Sequence, residues 1–204
     1  MRITRAMHAS TSFRLALLAA PMALLAGCIS LGEDPPDRLL TLTAEQTSPA
    51  GTAQSVARDE AIVVHEPEVP AAIDVNRVPV QVTATELAYL QDAVWVEKPS
   101  RLFRRLLAET MRVERGTVVL DGDESPLSSG THVHGTIRKF GYDVASGSVV
   151  MQFDAMRIRD GVVQTQRFEA SEPGVLAEAA PVGAALNRAA NDVARQVSAW
   201  VAGA

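Results

Sequence analysis

Few side chains in this sequence have the type and spacing to do chemistry. The only cysteine, Cys28, directly follows Leu25-Ala26-Gly27. A thiolate is a nucleophile and a metal ligand, so a lone cysteine is either an inert buried thiol or a site of covalent modification. His132 and His134 stand two apart, on one face if the segment is a strand. Such a pair could hold a metal ion, but no nearby cysteine or carboxylate completes the set. Polar positions opposite Val133 account for both histidines equally well. His65, His132 and His134 have no evident nucleophile to activate. Asp121, Asp123 and Glu124 suggest calcium, yet the twelve-residue ligand pattern with its closing glutamate is missing; a solvated turn is expected. There is no Gly-x-Ser-x-Gly elbow and no phosphate-cradling glycine loop. The expectation is a protein that is not an enzyme, with no catalytic residues, no metal site and no bound cofactor.

The context of Cys28 settles which chemistry its thiol is expected to do. Arg2, Arg5 and Arg14 precede it with no acidic residue among them, and residues 15–26 are apolar throughout. That run is too short for a membrane-spanning helix, which needs about 20 apolar residues. A basic start, a short apolar run and small residues before a cut are the pattern of an export signal, expected here over residues 1–27. Leu25-Ala26-Gly27-Cys28 resembles a bacterial lipobox. The resemblance implies a diacylglycerol on the Cys28 sulfur, cleavage just before it, and an acyl chain on the freed amine. Small Ala26 and Gly27 leave the backbone beside Cys28 open to a peptidase. Residues 28–37, with Gly32, Pro35 and Pro36, read as a tether. From Cys28 to Arg38 that tether reaches at most ~35 Å, at about 3.5 Å per residue. Ile29 and Ser30 follow the cysteine, and the absence of aspartate there resembles the outer-membrane pattern of enteric bacteria.

The rest of the chain, residues 38–204, suits one domain with a sizeable core. The whole chain carries a net charge of −5, and loss of the three leader arginines makes it more acidic still. A nucleic-acid partner would require a basic patch, so none is expected. Once Cys28 is lipidated no thiol remains, which leaves the fold without disulfides and without a cysteine-based metal site.

The elements that position these residues follow from periodicity. Residues 39–43 and 61–64 are short strand candidates. Val78, Val80 and Val82 alternate along another strand, joined by a turn near Thr85 to a partner that leads to Trp95. The clearest helix begins at Pro99, a favoured first-turn residue, and ends at Gly116. Leu102, Leu106 and Met111, with Phe103, Leu107 and Val113, form its apolar face. Arg101, Arg104, Arg105 and Arg112 cover the rest, as a solvated surface rather than a binding face. A strand over 117–120 and an acidic loop over 121–130 follow. Three strands then come at hairpin spacing, 132–144, 148–159 and 162–170, with turns at Ser146-Gly147 and Asp160-Gly161. The first two change phase partway. Val133 and Ile137 give way to Phe140 and Tyr142, and Val149, Met151 and Phe153 give way to Met156 and Ile158. A bulge in each strand is therefore expected. A last helix spans about 180–201, with Val182, Leu186, Ala189, Val193, Val197 and Trp200 as its stripe. Its polar face lacks the lysines of a membrane-lying helix. The fold class that results is mixed α/β: one domain, with a curved mixed or antiparallel sheet and two main helices packed on it.

A family resemblance rests on the stretch between Pro70 and Met111. It reads Pro-Ala-Ala-Ile-Asp-Val-Asn-Arg-Val-Pro-Val-Gln-Val to Val82, then Glu86-Leu87-Ala88-Tyr89-Leu90, then Ala93-Val94-Trp95-Val96-Glu97, then Leu102-Phe103-Arg104-Arg105-Leu106-Leu107-Ala108-Glu109. This resembles the ABC-type transport auxiliary lipoprotein family, the group that includes paraquat-inducible protein C. Pro70, Asp74, Arg77, Trp95 and Leu106 occupy the family's motif positions. For Trp95 the simple alternative is a core residue. Glu97-Lys98-Pro99 departs from the usual pattern at the helix start. The resemblance implies a non-enzymatic envelope lipoprotein facing the periplasm. It would work with a periplasmic MCE-domain protein and its ABC transporter to move lipids or other hydrophobic molecules, and its anchor is expected at the outer membrane. Self-association into a homo-oligomer stays open. Two other functions compete: an envelope lipoprotein that itself binds a hydrophobic ligand, and an outer-membrane or cell-wall assembly factor. Neighbouring genes for an ATPase, a permease and an MCE protein would separate the first reading from the last.

Overall fold

The computed structural model describes residues 38–122 and 129–203. The expected signal, Cys28, the tether, and Asp123 and Glu124 lie outside those residues. Seven strands and two helices make up the described body: β1 (Ile62–Val64), β2 (Arg77–Gln81), β3 (Leu87–Val94), α1 (Pro99–Arg115), β4 (Val119–Leu120), β5 (Thr131–Asp143), β6 (Ser148–Arg159), β7 (Val162–Pro173) and α2 (Ala179–Ala202).

The long strand β5 is the axis of a mixed, open sheet. One edge pairs with β6 along its whole length, and β6 pairs in turn with β7, all antiparallel. The other edge is shared. The first half of β5 takes β1, parallel, with β4 beyond it; the second half takes β2, parallel, with β3 beyond it. The β6–β7 hairpin is closed by the turn type its sequence requires. Asp160 and Gly161 both have positive φ, 49° and 77°, as a two-residue turn of the right twist demands.

Both helices cover one face of this sheet. Phe103 of α1 meets Phe153 edge-on at 5.2 Å, and Trp200 of α2 meets Phe168 at 5.7 Å. The α1 stripe Leu102, Phe103, Leu106, Leu107 and Met111 is buried, as is the α2 stripe from Val182 to Val197. Gly116 caps α1 in the left-handed conformation and its N–H donates to the Arg112 carbonyl, a C-terminal stop that glycine makes at no steric cost. Four arginines of α1 are tied to acids: Arg105 to Glu97, Arg112 to Glu109, and Arg101 and Arg104 to Glu66 at 3.6 and 3.8 Å.

The expected phase change in β5 is real. Arg138 is the extra residue of a bulge between Ile137 and Lys139, so Val133 and Ile137 before it and Phe140 and Tyr142 after it all point at the helices. The bulge expected in β6 is absent. Its register with β7 is continuous from Ser148 to Arg159. Ala155 and Arg157 continue the inward row, while Met156 and Ile158 face the other way. The apolar pair misled because an arginine took the core position. Arg157 is only 5 % exposed. It donates to the Val201 carbonyl and to Gln164 and lies over the Trp200 ring at 5.6 Å. A cation beside the last carbonyls of α2 also complements that helix end, which has no basic residue of its own.

The strand expected at 39–43 is likewise not formed. Only Leu40 bridges to Trp95, and the segment turns to run along the helices instead. There Asn191, 2 % exposed, takes the Glu45 N–H on its oxygen and donates to the Thr43 carbonyl. Asn187 accepts the Thr43 N–H at 2.8 Å, and Glu109 of α1 accepts that of Ser48 at 2.6 Å. These are obligatory backbone groups satisfied by side chains, so the chain enters its body fastened to the helical layer.

Candidate functional site

The sheet face turned away from the helices is where surface chemistry can occur. Along β6 its side chains are Val150, Gln152, Asp154 and Met156, opposite in phase to the buried Met151, Phe153 and Ala155. Two concavities lie on it, one on each side of the Arg138 bulge.

The first is apolar. It is a groove of about 390 Å³ lined by Pro70, Ile73, Pro79, Leu87 and Val150, with Arg138 and Lys139 at its margin. Its floor exists because β2 and β5 approach closely: a Cβ on Gly141 would sit 2.2 Å from the Pro79 carbonyl oxygen. Pro79 is tolerated inside the sheet because the β2–β3 register shifts beside it. The Pro70 carbonyl accepts from the N–H groups of Ile73 and Asp74, which folds the following residues into the wall of the groove. Tyr89 supports that wall by donating its hydroxyl to the Ala72 carbonyl at 3.4 Å.

The second is polar, about 680 Å³, with Glu68, His134, Thr136, Asp154 and Arg167 among its lining residues. Asp154 is its electrostatic centre. Both its oxygens accept from Arg167, at 2.5 and 2.8 Å, and one also accepts from Arg138 at 2.8 Å. The Arg167 hydrogen bond, reinforced by Arg138, holds this carboxyl well below the usual carboxylate range.

Beside this concavity the three histidines of the described residues converge. His65 follows β1, and His132 and His134 lie on β5. The β1–β5 register places Val63 beside His132, and the His65 N–H donates to the Val133 carbonyl at 2.9 Å. One imidazole is thereby set against the other two. His65 Nε2 and His132 Nδ1 are 3.0 Å apart. The rings of His65 and His134 stack at 3.9 Å between centroids, 7° from parallel. Burial, and then the charge of His132, push the His134 imidazole below its ordinary pKa, which favours the neutral ring. His132 and His134 are thus half-buried members of a trio. Sequence reasoning found the pair by its two-residue spacing. It missed the third member because His65 comes 67 residues earlier and is joined only by parallel pairing.

The family-motif residues divide into two sets. Trp95 and Leu106 are core. Trp95 stacks on Phe140 at 5.4 Å, and its ring N–H meets no hydrogen-bond partner among the described residues. Leu106 lies in the α1 stripe against the sheet. Pro70, Asp74 and Arg77 sit at the surface. Pro70 lines the apolar groove, Asp74 pairs with Lys98 at 2.8 Å, and the Arg77 guanidinium lies over the Tyr89 ring at 5.2 Å.

A family model described as the ABC-type transport auxiliary lipoprotein component matches residues 40–198. No curated protein matches the sequence. Among solved structures, protein XCC0632 from Xanthomonas campestris is similar with a TM-score of 0.67 at 19% identity, over 80% of this chain and 94% of that one. The crystal structure of an uncharacterized protein aligns with a TM-score of 0.64 at 13% identity, over 80% of this chain and 99% of the other. At such identities these two structures speak for the fold alone. Among the described residues no helix is long and apolar enough to cross a membrane.

Proposed function

Since the chain belongs to the ABC-type transport auxiliary lipoprotein family, we propose that it is a non-enzymatic, lipid-anchored subunit of an MCE-type ABC transport system that moves lipids or other hydrophobic molecules across the bacterial envelope. Cys28 carries the acyl chains, the anchor lies in the outer membrane, and the body docks on the periplasmic MCE protein. Membership of a lipoprotein family already puts the protein at the cell envelope; the lipid cargo, the MCE partner and the choice of membrane are the further steps.

One observation carries the docking part. After Leu40 pairs with the end of β3, at Val94 and Val96, the chain runs along the helices through the bonds of Asn187, Asn191 and Glu109, while both concavities open on the opposite sheet face. Attachment and recognition therefore use different layers. A tether of at most ~35 Å keeps the body near its membrane and leaves the bare face to a partner. Pro70, one of the surface residues that carry the family resemblance, lines the apolar groove on that face. A hydrophobic groove with a charged rim has the composition of a docking site whose anchors are apolar and whose margin sets orientation.

The test is co-purification of a soluble body lacking residues 1–28 with the MCE protein from the same bacterium. The body binds at micromolar concentration, and Leu87→Arg, which places a charge in the groove, weakens binding at least tenfold with an unchanged melting temperature. Absence of binding by the folded body contradicts the reading. The groove also favours a second reading, direct capture of a hydrophobic molecule. A fluorescent fatty acid that binds the body alone, and is displaced by Leu87→Arg, would favour it.

A further inference from the structure

We propose that His65, His132 and His134 form a binding site for a divalent first-row transition metal ion, with zinc as the reference occupant. The three side chains come from the C-terminal end of β1 and the N-terminal half of β5. These strands are held in parallel register by the pairs Ile62–Thr131, Val63–His132 and Val64–Val133. The backbone under each ligand is thus fixed by the sheet, and only imidazole rotations are free to adjust. One ligand nitrogen from each ring already lies within 4.8 Å of the other two. A tetrahedral zinc ion with Zn–N bonds of about 2.0–2.1 Å holds its nitrogens about 3.3 Å apart. His65 and His132, at 3.0 Å, are at that spacing now. Closing the rest needs a shift of roughly 1.5 Å and a rotation of the His134 ring out of its near-parallel stack on His65, so that its nitrogen lone pair points at the shared ion; the broad χ2 freedom of histidine allows that rotation.

The chemistry of the donors narrows the ion. Three imidazoles without a thiolate suit zinc, copper(II) or nickel(II), whereas calcium and magnesium take oxygen ligands. Half-burial limits the competing water around each ring. His134 lines the polar concavity beside Thr136 and Glu68, so a fourth coordination position opens toward solvent rather than into the core. Three protein ligands with an open fourth position make a site that holds an exchangeable ligand. A bound ion also ties the edge of β1 to β5 next to the face assigned above to docking. The site stands on its own geometry and does not depend on that assignment.

The experiment uses the full-length chain expressed without a histidine tag, purified in detergent, stripped with a chelator and dialysed. Zinc is titrated in competition with a chromophoric chelator at pH 7.5. The chain takes up one ion with a Kd of about 1 µM or tighter. His132→Gln and His134→Gln each weaken binding at least about tenfold, since loss of even an outer-shell partner typically costs that much. Circular dichroism of the metal-free variants matches the metal-free wild type, so lost binding is lost ligation. X-ray absorption at the zinc edge of the wild-type complex gives a first shell of nitrogen and oxygen with three imidazoles, a readout independent of any variant. Failure to bind zinc at 100 µM overturns the proposal. So does unaltered affinity in a His65→Gln, His132→Gln double variant, calcium binding as tight as zinc, or a first shell with fewer than three imidazoles.

Discussion

Replacing Gly141 by alanine tests the construction of the apolar groove and the sheet beneath it in one step. An added Cβ would lie 2.2 Å from the Pro79 carbonyl oxygen and 3.1 Å from its carbon. Both are backbone atoms, so relief requires β2 and β5 to separate by close to an ångström. Their contact is short: Val80 pairs with Tyr142, Gln81 with Asp143, and the Val144 N–H donates to the Gln81 carbonyl. Overpacking of this kind costs about 1–3 kcal/mol, and each ladder bond lost adds about 1 kcal/mol. A total of roughly 2–4 kcal/mol lowers Tm by roughly 5–15 °C for a chain of this size. Gly183→Ala is the control. There the added Cβ meets only the flexible end of Leu40, at 2.5 Å, and alanine gains about 1 kcal/mol over glycine inside a helix. Thermal melts followed by circular dichroism should therefore rank wild type and Gly183→Ala close together, with Gly141→Ala well below. A Gly141→Ala protein that melts with the wild type, or a Gly183→Ala protein that is the worse of the two, refutes the placement of β2 against β5.

Further expectations follow from single residues. Leu106→Asp places an unpaired charge in a position 3 % exposed, at a cost of several kcal/mol; the expected outcome is loss of the folded protein, and an unchanged circular dichroism spectrum and melting temperature would mean α1 does not pack on the sheet. Asp154→Asn removes the acid between Arg138 and Arg167. Its folded pKa is depressed, so its stabilisation is present above the ordinary carboxylate pKa of about 4 and is lost as pH falls below that value. The stability gap between wild type and variant should be open at pH 7 and close towards pH 2; a gap that widens in acid contradicts the pairing. Intact mass of the native protein should correspond to a chain that begins at an acylated Cys28. A mass that begins at Met1 without acyl groups would overturn the anchor.

Much of the fold was legible because it is local. Pro99 and Gly116 bracket α1, Asp160-Gly161 closes a hairpin, and the apolar residues of α2 recur at helical spacing. The bulge at Arg138 could be read from the parity of Val133 and Ile137 against Phe140 and Tyr142. Parity failed in β6 because it assumes that apolar side chains face in. Arg157 faces in instead, where α2 offers carbonyls and an indole ring, and Met156 and Ile158 are left outside. Residues 39–43 looked like a strand because threonines and leucines alternate there. Only Leu40 pairs with backbone, at Val94 and Val96; Thr43 bonds instead to the side chains of Asn187 and Asn191, contacts across 144 or more positions that no window contains. The candidate site was the least legible part for the same reason. Parallel pairing of β1 and β2 with the two halves of β5 is non-local, and it alone brings His65 to His134 and Pro79 to Gly141.

If the body recognises its partner but works only when tethered, the membrane barrier of a deletion strain depends on the anchor. Uptake of a normally excluded dye is measured in strains that carry the wild-type gene, a Cys28→Ser gene or none, with equal amounts of folded protein in the first two. The wild type is expected to restore the barrier and Cys28→Ser is not, although its soluble body still binds the MCE protein. Full restoration by Cys28→Ser would contradict that dependence on the anchor.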